Sequence, residues 1–355
     1  MTAGRRAVGL TPMETRRDVM VAAAVLADTL GYEIFAVPEG WGLDSTPVLA
    51  EIALRTSRIR VASAVLSVWG RSAATIAMTA ATLHQMSAGR YVLGLGASTP
   101  ALAEGFHDVP FEHPAGRLRD ALTAVRALLD GKPAHLSRVP AARPLRLGQS
   151  PVPGLPIWVA ALGPRATAVA AELGDGWIPA LMARDQLPAA GTRLRRAHAA
   201  AAPGAAAFTV SAGPVTAAAA DAAAARDIAA SCVAWYMTAM GGVYATSVAA
   251  QGYAAEVAAV IEANPRPSPQ RGVIPPAARA VLDQLAAYGT AAQVREQVER
   301  WDHAADVVTI MLPPGVPWPV VETTLRAAAP AATRRIPRRA PAGTLQELNP
   351  PAVLR

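Results

Sequence analysis

One cysteine, Cys232, and one lysine, Lys132, are all that 355 residues contain of either type. A single cysteine excludes an intrachain disulfide, and a cytoplasmic setting is the expectation that follows. Cys232 lies in an alanine-rich helical run, which marks it as a small buried apolar residue rather than a nucleophile. Charged residues are only 17% of the chain and aromatics 5%, against 52% hydrophobic. That balance excludes a disordered chain. No stretch of about 18 apolar residues is free of charge and proline, so no membrane span is expected. Residues 1–6 carry arginines with no apolar core behind them, unlike a secretory signal. Carboxylates and histidines show no metal-ligand spacing, and no metal is expected.

The net charge of +7 is unevenly placed. Residues 331–355 hold five arginines, Arg334, Arg335, Arg338, Arg339 and Arg355, against one acid, Glu347, a net +4. No aromatics interleave with these arginines and no recognised motif accompanies them. A solvated, proline-rich tail is therefore expected, and a nucleic-acid partner is not.

What the chain does have is alternation. Short apolar runs at 7–10, 33–37, 59–66, 91–96, 157–160, 176–178, 208–215 and 306–312 predict strands. Amphipathic runs at 15–30, 73–86, 117–129, 164–173 and 182–200 predict helices between them. Strands apolar on both sides suit a parallel sheet covered on both faces. Eight units fit an α/β fold of the (β/α)8 TIM-barrel kind, with an open doubly wound sheet second. One domain over 1–330 is expected, with extra alanine-rich helices inserted before the last strand. Thr290 and Gln293 read as a capping box that starts a helix running to about Trp301. The Pro/Gly/Arg-rich stretch 131–156 is long for a connection and is read as a lid or a rim insertion.

The most informative segment is 87–98, SAGRYVLGLGAS. A buried strand there ends in Gly94 and Gly96, followed by Ala97 and Ser98. Glycine at a strand exit lets a bulky group approach the backbone, and that exit is where such folds bind ligands. Together with 30–39 (LGYEIFAVPE), 57–63 (SRIRVAS), 105–119, 156–165 (PIWVAALGPR), 174–178 (GDGWI), 288–290 and 305–307, it resembles the bacterial-luciferase-like superfamily. The match is patchy over 201–287 and absent after about Thr333.

That resemblance implies a TIM barrel whose mouth holds the deazaflavin coenzyme F420 or FMN. It places cofactor contacts at Ser63 and Ala64, at Gly94, Gly96, Ala97 and Ser98, at Ala161, Leu162, Gly163, Pro164 and Arg165, and at Gly176, Trp177 and Ile178. A cis bond at Ser63–Ala64, where relatives carry a bulge under the ring, is expected against an ordinary trans exit. The 162–165 segment precedes a helix, and its N–H groups suit a phosphate as well as a plain cap. Relatives place a histidine after the acid that closes strand two; here Glu39 is followed by Gly40 and Trp41. Glu39 is read as a general acid or as a structural carboxylate, and Trp41 as an aromatic wall or simple packing. Of the six histidines, His107 and His113 flank the loop after strand four.

With that histidine missing, hydride transfer between F420 and a small organic substrate (C=C, C=N or C–OH) is the expected reaction. An FMN-dependent monooxygenase is the alternative, and a non-catalytic flavin-binding barrel a third. A homodimer is implied by the resemblance. Ala73, Ala74, Ala77, Ala80 and Ala81 would serve either close helix approach between subunits or packing on the barrel.

Overall fold

Parallel strands that are buried on both faces dictate the architecture. The computed structural model describes residues 4–135 and 139–331, so the expected arginine-rich tail, 332–355, lies outside the described residues. The strands are β1 (Arg6–Leu10), β2 (Ile34–Val37), β3 (Arg60–Ser63), β4 (Leu66–Ser67), β5 (Tyr91–Gly96), β6 (Ile157–Ala160), β7 (Gly176–Trp177), β8 (Thr209–Ala212), β9 (Val215–Ala218), β10 (Ala286–Gly289) and β11 (Val307–Leu312). The helices are α1 (Arg17–Leu30), α2 (Ser45–Arg55), α3 (Ala73–Met86), α4 (Pro100–Ala103), α5 (Pro114–Leu129), α6 (Pro164–Leu173), α7 (Leu187–Ala201), α8 (Ala222–Ala239), α9 (Gly242–Val248), α10 (Ala254–Ala263), α11 (Arg279–Leu285), α12 (Ala291–Glu299) and α13 (Trp318–Ala327).

The pairing order β1-β2-β3-β5-β6-β7-β8-β11 returns to β1 and closes a (β/α)8 barrel of eight parallel strands. The closing seam runs from Arg6 opposite Val308 to Leu10 opposite Leu312. β4 is a short continuation beside β5, and β9 with β10 extends the sheet outward from β11. β1, β2 and β5 are buried at every position, as apolar runs without alternation require.

Local signals fix most helix ends. Gly31 ends α1 in the left-handed region (φ 85°), which glycine enters without a Cβ clash. Ser72 caps α3 through Thr75 N–H, and Thr290 and Gln293 form the expected capping box of α12. Three aspartates then stitch the face where strands begin. Asp28 accepts N–H bonds from Ser57, Arg58 and Ile59; Asp175 accepts from Ile157; Asp306 accepts from Val210. Each carboxylate fixes the chain as it enters a strand.

Several expectations change here. The run expected as one strand over 208–215 is two, β8 and the start of β9, separated by Gly213-Pro214. A Cβ on Gly213 would lie 2.1 Å from Thr309 O, so the chain there presses on β11 and bends away. α2 was absent from the sequence reading, although Asp44 caps it by accepting from Thr46 N–H at 2.9 Å. β10, with the sequence AAYG, reads as helix by propensity; pairing with β9 in a buried layer overrides that. The stretch 131–156, where described, joins α5 to β6 and thus lies on the face opposite the strand exits. None of its described residues lines a cavity at those exits, which fits a rim insertion and not a lid. On α3, Ala77, Ala80 and Ala81 are buried in the main core, which consumes part of the small-residue face.

No single helix among the described residues is long and apolar enough to cross a membrane; α8 together with the bent segment 242–263 passes by length and composition only. Most of α8 is buried, including Cys232, whose thiol burial pushes up to about 12. A thiol held protonated in the core is no nucleophile.

One rim carboxylate joins both ends of the described chain. Glu14 pairs with Arg16 at 2.6 Å and accepts N–H bonds from Arg16 (2.9 Å) and Gly315 (3.1 Å). Burial alone would raise its pKa; the hydrogen bonds outweigh that and hold it below the usual 4.5. A depressed carboxylate gives stability that is present above the ordinary value and lost as pH falls through the folded one. Glu14→Gln is expected to cost about 1–3 kcal/mol in denaturant unfolding at pH 7, with a smaller difference at pH 3.

Candidate active site

The barrel axis is plugged from below by Trp158, Ile34 and Val92 and left open above. Small side chains, among them Ala36, Ala62, Ala64, Gly96 and Ala160, line the space that remains. This inner cavity, about 180 Å³, runs into an outer one of about 1080 Å³ at the strand exits. Val65, Gly96, Ser98, Thr99, Ala160, Ile178, Ala180 and Tyr244 line both.

A bulge forms the floor on one side. Ser63 remains in register with Val37, and Ala64 N–H still donates to Val37 O at 2.9 Å. The chain leaves the sheet only after that bond. Accordingly the cis peptide is Ala64–Val65, one position later than the expected Ser63–Ala64. Ser63 Oγ donates to Gly94 O (3.0 Å) and accepts from Gly94 N–H (2.8 Å) and Tyr91 O–H (3.0 Å). Ser63 therefore pins the bulge from behind and does not reach the cavity. The same holds for Gly94. A Cβ there would sit 2.0 Å from Ser63 O, so its glycine serves the bulge and not a ligand. Gly96 does face the cavity, with Val65 and Ala160 closest to where a Cβ would lie (2.7 and 3.3 Å).

After β5 the backbone turns at Ser98, whose φ of 57° is left-handed. The turn brings Ala97, Ser98 and Thr99 to the cavity. Trp69 holds it by donating Nε1–H to Ala97 O at 2.6 Å, and Arg117 lies over the Trp69 ring at 5.4 Å. Ala161, Leu162, Gly163, Pro164 and Arg165 also line the outer cavity. Gly163 precedes α6, and nothing lies within 4 Å of where its Cβ would be. The unpaired N–H groups of the first α6 turn are thus open to an anion, and Arg165 and His113 line the same outer cavity.

Gly176 and Trp177 leave the ligand-facing set. Gly176 is pressed against Trp158 and Thr209 O, and Trp177 is buried. Trp177 acts at one remove: its Nε1–H donates to Ala161 O at 2.8 Å and holds the loop before α6. Ile178, next in the chain, lines both parts of the cavity.

Glu39 reaches the inner cavity but is engaged. Arg71 donates to its Oε1 at 2.6 Å, and Ser67 N–H to Oε2 at 3.4 Å; Arg71 also holds Asp44 at 2.8 Å. These contacts are those of a carboxylate held in place by protein partners. Trp41 lines neither part; it is 41% exposed and packs on Trp235 at 6.4 Å. Among the other histidines, His107 lies against Gly70, and His198 is buried on the carbonyls of Ala171 and Ala206. The sequence reading missed Ser67, Tyr236, Met240 and Tyr244. Three aromatics, Trp235, Tyr236 and Tyr244, in an alanine-rich run were the available signal.

A closed barrel of eight parallel strands, with its cavity at the strand exits and an open helix N-terminus beside it, defines a (β/α)8 TIM-barrel protein with a ligand-sized site at the usual place for that fold. The chain belongs to the luciferase-like monooxygenase family, whose model matches residues 1–306. It is 32% identical over 185 residues to a Mycobacterium tuberculosis protein named as a coenzyme F420-dependent oxidoreductase. That match covers 48% of this chain and 52% of the relative, so the chain spans about half the length of this relative. It is 28% identical over 270 residues (72% and 70% covered) to phthiodiolone/phenolphthiodiolone dimycocerosates ketoreductase of Mycobacterium bovis. The fold matches coenzyme F420-dependent tetrahydromethanopterin reductase of Methanopyrus kandleri with a TM-score of 0.70 at 16% identity, over 93% and 98% of the two chains.

The two glycines make a paired test. Gly94→Ala is expected to lose about 3 kcal/mol or more in urea unfolding, because backbone oxygen stands where the methyl must go. Gly163→Ala should change stability by less than about 0.5 kcal/mol.

Proposed function

We infer that the protein transfers a hydride between coenzyme F420 and a small organic molecule bearing C=C, C=N or C–OH. The observation that carries this reading is the absence, among the described residues, of any free ionised side chain in the inner cavity. Its only charged group, Glu39, is neutralised by Arg71. Hydride transfer asks the protein chiefly for orientation and exclusion of water, and an apolar, narrow inner cavity suits both.

The residues present fit a cofactor of this kind. Gly163 offers an open cradle where a Cβ would otherwise intrude, at a helix start whose dipole favours an anion. Arg165 would pair with the phosphate of the cofactor tail, and Ser98 and Thr99 would hydrogen-bond polar atoms of the ring. Ala64 and Val65, on the bulge, would support its middle, and Ile178 would flank it. The deazaflavin supplies the two-electron hydride chemistry. The chain's own part is to fix the bulge through Ser63, to hold the strand-five exit through Trp69, and to hold the loop before α6 through Trp177.

The family's monooxygenase name supports a second reading, an FMN-dependent oxygenase. Titration of the purified protein with F420, followed by its fluorescence, is expected to give micromolar or tighter binding. Arg165→Ala should weaken it about 3–10-fold, less at high salt, since the arginine is exposed. Oxygen consumption with reduced FMN, together with no F420 oxidation by any carbonyl, imine or enone acceptor, would reverse the order of the two readings.

A further inference from the structure

Buried phenol hydroxyls almost always find a partner. The chain has six tyrosines. Two buried ones follow the rule, Tyr32 donating to Leu325 O and Tyr91 to Ser63 Oγ; the half-buried Tyr253 and Tyr288 donate to Asp185 and Asp283. The other two, Tyr236 at the end of α8 and Tyr244 in α9, have no hydrogen-bond partner among the described residues, and both line the inner cavity. Tyr236 is only 4% exposed. Its ring is fixed between Trp235 at 5.6 Å and Tyr244 at 5.3 Å, edge-on to both. A rigid phenol on the cavity wall, with no protein acceptor for its hydroxyl among the described residues, is available to a bound molecule.

The inner cavity limits what that acceptor is. Among the described residues no lysine, arginine or histidine lines it, and Glu39 is taken by Arg71. Ser211 and Thr309 hydroxyls pair with each other at 3.0 Å. An ionised substrate group would be stranded there without a counter-charge. The geometry points to Tyr236 as the group that holds and protonates the substrate oxygen, in an inner cavity shaped for an uncharged, largely apolar carbonyl compound or the matching alcohol. This rests on the hydride-transfer reading and adds to it the substrate class and the proton donor.

In the reducing direction a bound reduced deazaflavin would supply the hydride that the carbonyl carbon accepts. The C=O π pair moves to oxygen, and the oxygen takes the Tyr236 phenol proton. The phenolate then regains a proton from water entering past Tyr244, which lines both parts of the cavity. The alcohol direction is the reverse, with oxidised deazaflavin as hydride acceptor. Burial pushes the Tyr236 phenol well above its ordinary 10.0, so it is held as the neutral hydroxyl that can donate a hydrogen bond, and it gives up its proton only to the strongly basic alkoxide-like oxygen.

The test uses the full chain and two matched probes, 2-octanone and 2-methyl-1-octene, which differ by C=O against C=CH2. Both are titrated by saturation-transfer NMR into the wild type and into Tyr236→Phe, which keeps the ring. The variant is expected to lose about 3–10-fold in affinity for the ketone and none for the alkene. In the F420-loaded enzyme it should lower kcat about 10²–10⁴-fold at unchanged F420 affinity. Equal losses for the two probes, no loss for either, or binding of neither to the wild type would overturn the assignment. Failure of F420 to bind while the ketone-selective loss persists would remove the hydride-transfer reading and support Tyr236 as the oxygen-holding group.

Discussion

Everything at the mouth depends on one close approach: the backbone of Gly94 lies directly against the carbonyl of Ser63. Only a residue without a Cβ lets strand five run so near the end of strand three. The Ser63 hydroxyl then closes the gap by bonding both the N–H and the C=O of Gly94. With strand three anchored this way, Ala64 and Val65 are lifted out of the sheet into the cavity floor. The exit of strand five, carrying Gly96 to Thr99, faces them. A hydroxyl, a glycine and a short bulge thus set the depth of the site before any ligand-facing group is considered.

The two ends of the barrel divide the work by charge. Where strands begin, Asp28, Asp175 and Asp306 hold backbone N–H groups and pair with arginines; these bonds fix chain entry and belong to stability. Where strands end, the described residues of the inner wall include alanine, glycine, hydroxyls and phenols, with Glu39 paired to Arg71. Such a wall excludes water and holds few fixed charges, so a bound molecule is oriented by shape and a few hydrogen bonds. The outer wall, at the start of α6, is where an anionic tail finds N–H groups and Arg165. Polarity therefore rises from the barrel axis outward.

Much of this was legible in the chain itself. β5, β6, α3 and α6 fall where their apolar runs and flanking Gly, Pro and Ser residues place them. The 161–165 loop and the 96–98 turn face the cavity as the resemblance implies. What misled were residues whose neighbours are remote. Gly94 and Gly176 looked like ligand glycines, but each makes room for protein backbone. Trp177 looked like a cofactor contact and is instead a buried prop for Ala161. β10 escaped because alanine-rich segments carry no strand preference of their own.

By itself, the sequence determined the period of its elements, the helix caps and the alternation that leads to a parallel barrel, because these depend on residues within a few positions of one another. Tertiary structure alone decided which groups meet at the mouth. Glu39 found Arg71, 32 residues on; Ser63 found Gly94, 31 residues on; and Tyr236 reached the cavity from a helix outside the barrel repeat. Those meetings follow from how strands and helices are stacked in space, and no local pattern encodes that distance.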